Sequence, residues 1–295
     1  MTIKIGGPLA APRAIGGMAA GYLEVLKPRE TALITFIGAS AAVVAGGGVP
    51  PLDRWFLAAV AILLGSAGCN GLTNYLDRGI DARMQRTRHR VLPSGGIQPA
   101  EKVLPLTIGL VAIALVLVWF LHPLAFWGGV VGVAASLVGR GRSLSHLLGG
   151  ISSAAPVWVG WLAISSQPSP ALLWLCLLVF IWVPIHVWSL ILSYRDDYLG
   201  AGLRILPVTW REANVVKVLV ALSSLLYGVS LALFFWGGFG GLYLVAANIL
   251  GLAMIYASLR LLKVGSFQGA WRLYKLSSYP YLGLTFLALI LDLWL

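Results

Sequence analysis

Ten acidic residues occur in the whole chain, and four of them form two pairs: Asp77 with Asp81, and Asp196 with Asp197. Each pair follows directly on a long apolar run. Carboxylates are costly beside hydrocarbon, so their placement there invites a chemical reason. Asp77 and Asp81 are four residues apart, which puts both carboxylates on one face of a helix, about one turn apart. Like charges on one face repel unless a cation sits between them. Asn74 and Asn70 extend the same face. Carboxylate and amide oxygens with no Cys or His cluster suit a hard cation such as Mg2+. That ion keeps several waters and prefers few protein ligands together with substrate phosphate oxygens. Two such clusters facing each other would hold a diphosphate through bridging ions. The same spacing also fits two solvated helix ends of mixed charge.

The arginines favour the first reading. Arg78, Arg83, Arg86, Arg88 and Arg90 follow the first pair; Arg195 precedes the second, and Arg204 and Arg211 follow it. Arg140 and Arg142 lie in a short loop between apolar runs. A guanidinium offers a fork of donors that matches phosphate oxygens. Arginines in such loops also set membrane topology and meet lipid headgroups. Topology does not require acid and base to interleave at two matched places.

The elements that position these residues are membrane helices. The 295 residues are 59% hydrophobic and 11% charged, with a mean hydropathy of +0.89. Soluble domains carry about 25% charge, so lipid is the expected solvent. Apolar runs at 31–49, 55–75, 103–120, 124–138, 147–164, 171–192, 215–236, 240–262 and 276–295 predict nine spans, each near the length that crosses about 30 Å of hydrocarbon. All Lys and Arg except Arg54 then fall on one side. The positive-inside rule makes that side the cytoplasm, with the N-terminus in and the C-terminus out, in the cell (inner) membrane. The net charge of +11 lies in short loops between spans, which argues against nucleic acid as partner. Cys69 and Cys176 fall inside spans and read as unpaired thiols. Residues 1–20 lack a secretory signal pattern. The expectation is a single all-α domain over 1–295, with 1–30 as a cytoplasmic segment. A faint repeat, Val91-Leu92-Pro93 and Ile205-Leu206-Pro207 after the two acidic pairs, hints at two helical halves around a central site.

The stretch Asn74-Tyr75-Leu76-Asp77-Arg78-Gly79-Ile80-Asp81, continuing through Arg86-Thr87-Arg88-His89-Arg90-Val91-Leu92-Pro93-Ser94-Gly95, resembles the first Asp-rich motif of the UbiA superfamily of intramembrane prenyltransferases. The resemblance covers most of the chain from Tyr22 to the start of the seventh span. It implies nine helices around a central cavity. Within that superfamily, four stretches are similar to the heme O synthase (protoheme IX farnesyltransferase) family: Tyr22 to Arg29, Gly149 to Pro156, the segment with Pro184, His186 and Trp188, and Arg195-Asp196-Asp197-Tyr198 followed by Ala201-Gly202 and Leu206-Pro207-Val208. Thr73 stands where the family usually has a metal-binding Asn, so Asn74 or Asn70 would substitute, or Thr73 would act through water. Leu203-Arg204-Ile205 replaces the usual Ile-Pro-Met, and Gly139-Arg140-Gly141-Arg142 is thinner in base than the family norm.

The resemblance implies Mg2+ on Asp77 and Asp81, a second ion on Asp197 with Asp196, and diphosphate contacts from Arg90 and Arg140, with Arg86, Arg142 and Arg195 as further candidates. The donor would be farnesyl diphosphate, the acceptor the vinyl group of heme B, and a heme A synthase an associated partner. His186 would contact heme iron or carry a proton; alternatively, it is a packing histidine. Tyr198 would line the site or anchor the interface. Two other functions remain open at this level: prenyl transfer to a quinone precursor or lipid, and ion-coupled transport.

Overall fold

The computed structural model describes residues 17–138, 145–265 and 267–295, and every regular element among them is helical. Backbone in hydrocarbon has no water to bond, so each span must close its own hydrogen bonds. A short α1 (Gly17–Val25) leads to α2 (Pro28–Ala45) and the 30-residue α3 (Leu52–Asp81). A 3-10 turn (Ala100–Val103) opens α4 (Leu104–Leu121), followed by α5 (Pro123–Val138), α6 (Ser145–Ile164) and α7 (Pro170–Ser193). Two short helices, α8 (Arg195–Gly200) and α9 (Leu206–Thr209), precede α10 (Glu212–Gly237) and α11 (Gly241–Val264). The chain ends with α12 (Phe267–Leu276), a π-helical stretch (Ser277–Gly283) and α13 (Leu284–Leu293).

Among the described residues, seven helical segments are long and apolar enough to cross a membrane. The other two expected spans coincide with shorter helices. The 18 residues of α2 begin with Arg29 and Glu30 in the first turn, and α5 has 16 residues. At 1.5 Å per residue α5 is about 24 Å long. The final expected span, 276–295, differs in its start: the helix begins at Phe267 and runs to Leu293 through a bend. Pro280 supplies no backbone donor there, and Ser278 leaves helical geometry at ψ −127°.

The helices form a closed ring. From α2 to α7 each packs on the next; α7 packs on α10, α10 on α11, α11 on α13, and α13 returns to α2. A cross-brace joins α2 to α6. There the backbones nearly touch: a Cβ added to Gly160 would lie 1.9 Å from the carbonyl oxygen of Gly38. Glycine permits this approach, a common device where lipid supplies no hydrophobic drive between helices. At the end away from the acidic pairs, Asp292 of α13 accepts from Gly240 N and from Tyr243 N, the latter at 3.0 Å, and so caps α11. Arg54, the basic residue set apart by the charge pattern, donates to Leu121 O at 2.9 Å and caps α4.

Ile113, Phe120, Trp127, Phe235 and Ile249 face outward and exposed, as a lipid-facing surface allows. The most enclosed span is α7, with Leu172, Leu175, Leu178 and Val179 fully buried. It carries His186 and delivers the second acidic pair to the same end of the ring as the first.

Candidate active site

A cavity of about 560 Å³ opens inside the ring at the Asp-bearing end. Asn70, Thr73, Asn74, Asp77 and Asp81 line it from the last turns of α3, as their helical spacing predicts. Arg86 and Arg90 enter from the loop after α3, His186 from α7 and Tyr198 from α8. Nine of the candidate residues therefore share one cavity.

That loop is folded back over the end of α3 and held by acids from three elements. Asp81, 8% exposed, pairs with Arg90 at 3.3 Å. Fully buried Thr87 donates its hydroxyl to the Asp81 carbonyl at 3.0 Å. Glu24 of α1 accepts from Val91 N at 2.9 Å. Asp197 accepts from Gln85 N at 2.6 Å and Arg86 N at 3.0 Å. Both oxygens of Asp197 are thus engaged by backbone amides, and neither Asp196 nor Asp197 lines the inner cavity.

The second acidic pair and Arg195 line a separate outer cleft. Arg195 pairs with Glu212 at 3.1 Å and donates to the carbonyls of Val208 and Trp210. These bonds tie α8 to the turn before α10. Arg140 and Arg142 lie outside the described residues.

The polar residues on α3 have structural duties as well. Asn70 donates to Thr31 Oγ1 at 2.9 Å, and Asn74 donates to Val25 O at 2.6 Å, which tethers α1. Thr73 donates to Asn70 O at 3.0 Å. Each amide retains a carbonyl oxygen as its acceptor. Arg86 reaches Tyr198 Oη at 3.5 Å and lies 5.4 Å from the centre of the Tyr194 ring. Burial pushes the Tyr198 hydroxyl above the ordinary tyrosine range, with Arg86 pulling the other way. His186 Nδ1 lies 3.0 Å from Ser277 Oγ, and its ring stacks on Trp182 at 4.8 Å and meets Tyr274 at 4.5 Å.

Several lining residues escaped sequence reasoning: Lys27, Glu30, His146 and Tyr274. Glu30 had a signal, as one of ten acids placed in the first turn of an apolar run. Lys27 adopts a left-handed backbone, φ 49°, immediately before Pro28. Such strain in a non-glycine residue tends to mark functional positions, but nothing in the sequence announces it. Tyr274 lies before the expected start of the last span at 276 but inside the helix that begins at Phe267. His146 is buried and its Nε2 has no hydrogen-bond partner among the described residues.

The donor set fits a magnesium ion. Carboxylates of Asp77 and Asp81, amide oxygens and the Thr73 hydroxyl are hard oxygen donors around one space. No group of three or more His, Cys, Asp or Glu placed to hold a metal occurs among the described residues. Two carboxylates with neutral oxygen donors suit an ion that takes few protein ligands and completes its shell with water and substrate oxygens.

A closed helical ring with acids and arginines converging at one end of its interior defines the class: the chain belongs to the UbiA prenyltransferase family, whose pattern its residues 32–279 match. It is a multi-pass membrane prenyltransferase. More particularly, it is similar to curated protoheme IX farnesyltransferases. The one from Desulforudis audaxviator is 35% identical over 94% of this chain and 89% of its own length. The one from Bordetella avium is 36% identical over 97% of both chains. Solved structures share the fold. Digeranylgeranylglyceryl phosphate synthase superposes with a TM-score of 0.77 at 18% identity, over 93% of this chain and 98% of that one. A UbiA homolog from Archaeoglobus fulgidus bound to GPP and Mg2+ gives 0.64 at 15% identity, over 91% and 99%.

Proposed function

We propose that this protein transfers a farnesyl group from farnesyl diphosphate to the vinyl group of heme B, giving heme O, with Mg2+ as cofactor. The observation that carries the reading is the convergence of Asp77 and Asp81 with Arg86 and Arg90 in one cavity at the end of the ring. The protoheme IX farnesyltransferases it resembles supply the acceptor. The whole chain acts as one domain of nine spans in the cell membrane, its N-terminal segment cytoplasmic and its C-terminus outside. A heme A synthase, as consumer of the product, is a partner in this reading.

Asp77 and Asp81, with Thr73 and the amide oxygens of Asn70 or Asn74, would hold the ion, which when bound neutralises charge on the departing diphosphate. Arg86 and Arg90 donate to diphosphate oxygens; Arg140 and Arg142 remain candidates for the same role. The prenyl tail runs from the inner cavity toward an apolar slot of about 160 Å³ between α3, α4, α5 and α6, which meets that cavity at Cys69, Asn70, Ser152 and Ser153 and takes only part of its length. Its dry walls protect an allylic cation from water. Tyr198 remains a neutral donor beside Arg86. His186, clamped by Ser277, Trp182 and Tyr274, orients the acceptor. Asp197 positions the arginines by fixing the backbone that bears Arg86; Asp196 and Arg195 contribute from the outer cleft.

The test is to incubate detergent-solubilised protein with Mg2+, heme B and farnesyl diphosphate and to resolve the hemes by chromatography and mass spectrometry. A heme O peak, absent with Asp77→Asn, is expected. Diphosphate release only with quinone-type or lipid acceptors would move the enzyme to another branch of the family. No release with any acceptor would refute the proposal.

A further inference from the structure

Prenyl transfer leaves a diphosphate inside a ring of apolar helices, and that anion has to reach water. Three described spaces adjoin the inner cavity. The slot between α3, α4, α5 and α6 is apolar, and a multiply charged anion does not enter such a space. The outer cleft of about 1,100 Å³ shares only Arg86 with the inner cavity. The backbone between them is held in place by the bonds from Gln85 and Arg86 to Asp197. The third space is a side pocket of about 290 Å³ between the α1–α2 turn and the loop after α3. It shares five wall residues with the inner cavity: Lys27, Glu30, Asn74, Asp81 and Arg90.

We propose that this side pocket is a second diphosphate position, filled after transfer, through which the leaving group passes from Arg90 to Arg29 and out to water. The two positions are occupied in turn, not together. The inference rests on the diphosphate site at Asp77 and Asp81 and is independent of the acceptor.

The pocket has the size for this. A water molecule takes about 30 Å³ of liquid, so the space corresponds to about ten waters, enough for a diphosphate with part of its hydration. The exposed Glu24, Arg29 and Glu30 mark its mouth.

The charges sort into committed and uncommitted groups. Glu24 accepts from Val91 N, and Asp81 pairs with Arg90. The Arg29 guanidinium makes no hydrogen bond or ion pair among the described residues; only its carbonyl is engaged, by the Tyr279 hydroxyl. A departing anion therefore meets an uncommitted fork of donors at the mouth, with the Glu30 carboxylate in the same wall. Attraction strong enough to draw an ion onward, tempered by a like charge that keeps it from staying, is what a passage requires.

The backbone strain has a use here as well. Left-handed Lys27, φ 49°, separates α1 from α2, and its carbonyl accepts from Thr31 N at 3.0 Å. That turn sets the Lys27 side chain in the wall common to both spaces, as expected where strain is kept for a task.

The experiment uses the full chain in detergent with Mg2+. Association and dissociation of radiolabelled inorganic diphosphate are timed by rapid filtration, with radiolabelled farnesyl diphosphate in parallel. Arg29→Gln removes the donors at the mouth, and Pro93→Trp narrows the pocket at a half-buried wall residue. Each should slow both association and dissociation of inorganic diphosphate by about tenfold. Equilibrium affinity should stay unchanged, because a passage alters the barrier and not the end states. Arg29→Lys should restore most of the rate. Farnesyl diphosphate rates should not move, since its tail keeps it out of a polar pocket. Affinity lost with association unchanged would make Arg29 an ordinary binding residue and overturn the passage, as would rates that neither substitution moves. Wild-type protein that binds neither form of diphosphate would overturn the site at Asp77 and Asp81 itself, a distinguishable failure.

Discussion

Asp197→Asn separates two roles for the second acidic pair. In the structure this carboxylate takes the backbone N–H groups of Gln85 and Arg86 at 2.6 and 3.0 Å. An Asn at the same place can accept one of them, turns its own NH2 toward the other, and has no charge. A hydrogen bond to a charged acceptor contributes about 1.5–3 kcal/mol. The Gln85 contact is exposed, so water offsets part of its loss. A net loosening of about 2 kcal/mol is reasonable, which is about a 30-fold rise in loop opening. Hydrogen exchange at the amides of residues 85–88 should accelerate by that factor. Apparent affinity for the diphosphate should fall as the loop-closed fraction falls, while the Mg2+ concentration for half-activity stays put. Unchanged exchange with a large rise in the Mg2+ requirement would refute the loop-holding role and return Asp197 to the metal.

Three other outcomes are expected. Gly160→Ala drives a methyl group into the backbone of Gly38; overpacking of this kind costs about 1–3 kcal/mol and should lower the midpoint of thermal unfolding in detergent. Asn74→Ala leaves the Val25 carbonyl without its donor, at a cost of about 1–3 kcal/mol, and limited trypsin digestion should cut faster at Arg29. Arg90→Gln removes the partner of a buried carboxylate; because Arg90 is one-third exposed, the stability loss should be about 1 kcal/mol, with a much larger fall in diphosphate affinity by calorimetry.

The all-helical character and the α3 half of the site were legible because period and chemistry agree there. Asn70, Asn74, Asp77 and Asp81 fall on one helical face, and the structure keeps them on one. The limits were equally physical. The segment before 276 carries Arg272 and Lys275 and reads as a loop, so sequence pattern leaves out the helix start at Phe267 and Tyr274 with it. A carboxylate pair reads alike in sequence whether it faces a cavity or a loop, and only the fold reveals the two amides that Asp197 receives. Lys27 reaches the cavity through a strained turn and His146 from the first turn of α6, placements that local sequence does not encode.

The bonds from Asp197 span more than 110 residues of sequence. Chains are made and inserted from the N-terminus onward, so α3 and its arginine-rich loop reach the bilayer well before α8 exists. The ring closes later still, when α13 meets α2. A nascent chain therefore carries its acidic helix without a finished pocket until translation is nearly complete. A ribosome stalled after α6 would leave an inserted but inactive half, and supplying α7 to α13 as a separate polypeptide is the natural way to ask whether the halves can find each other.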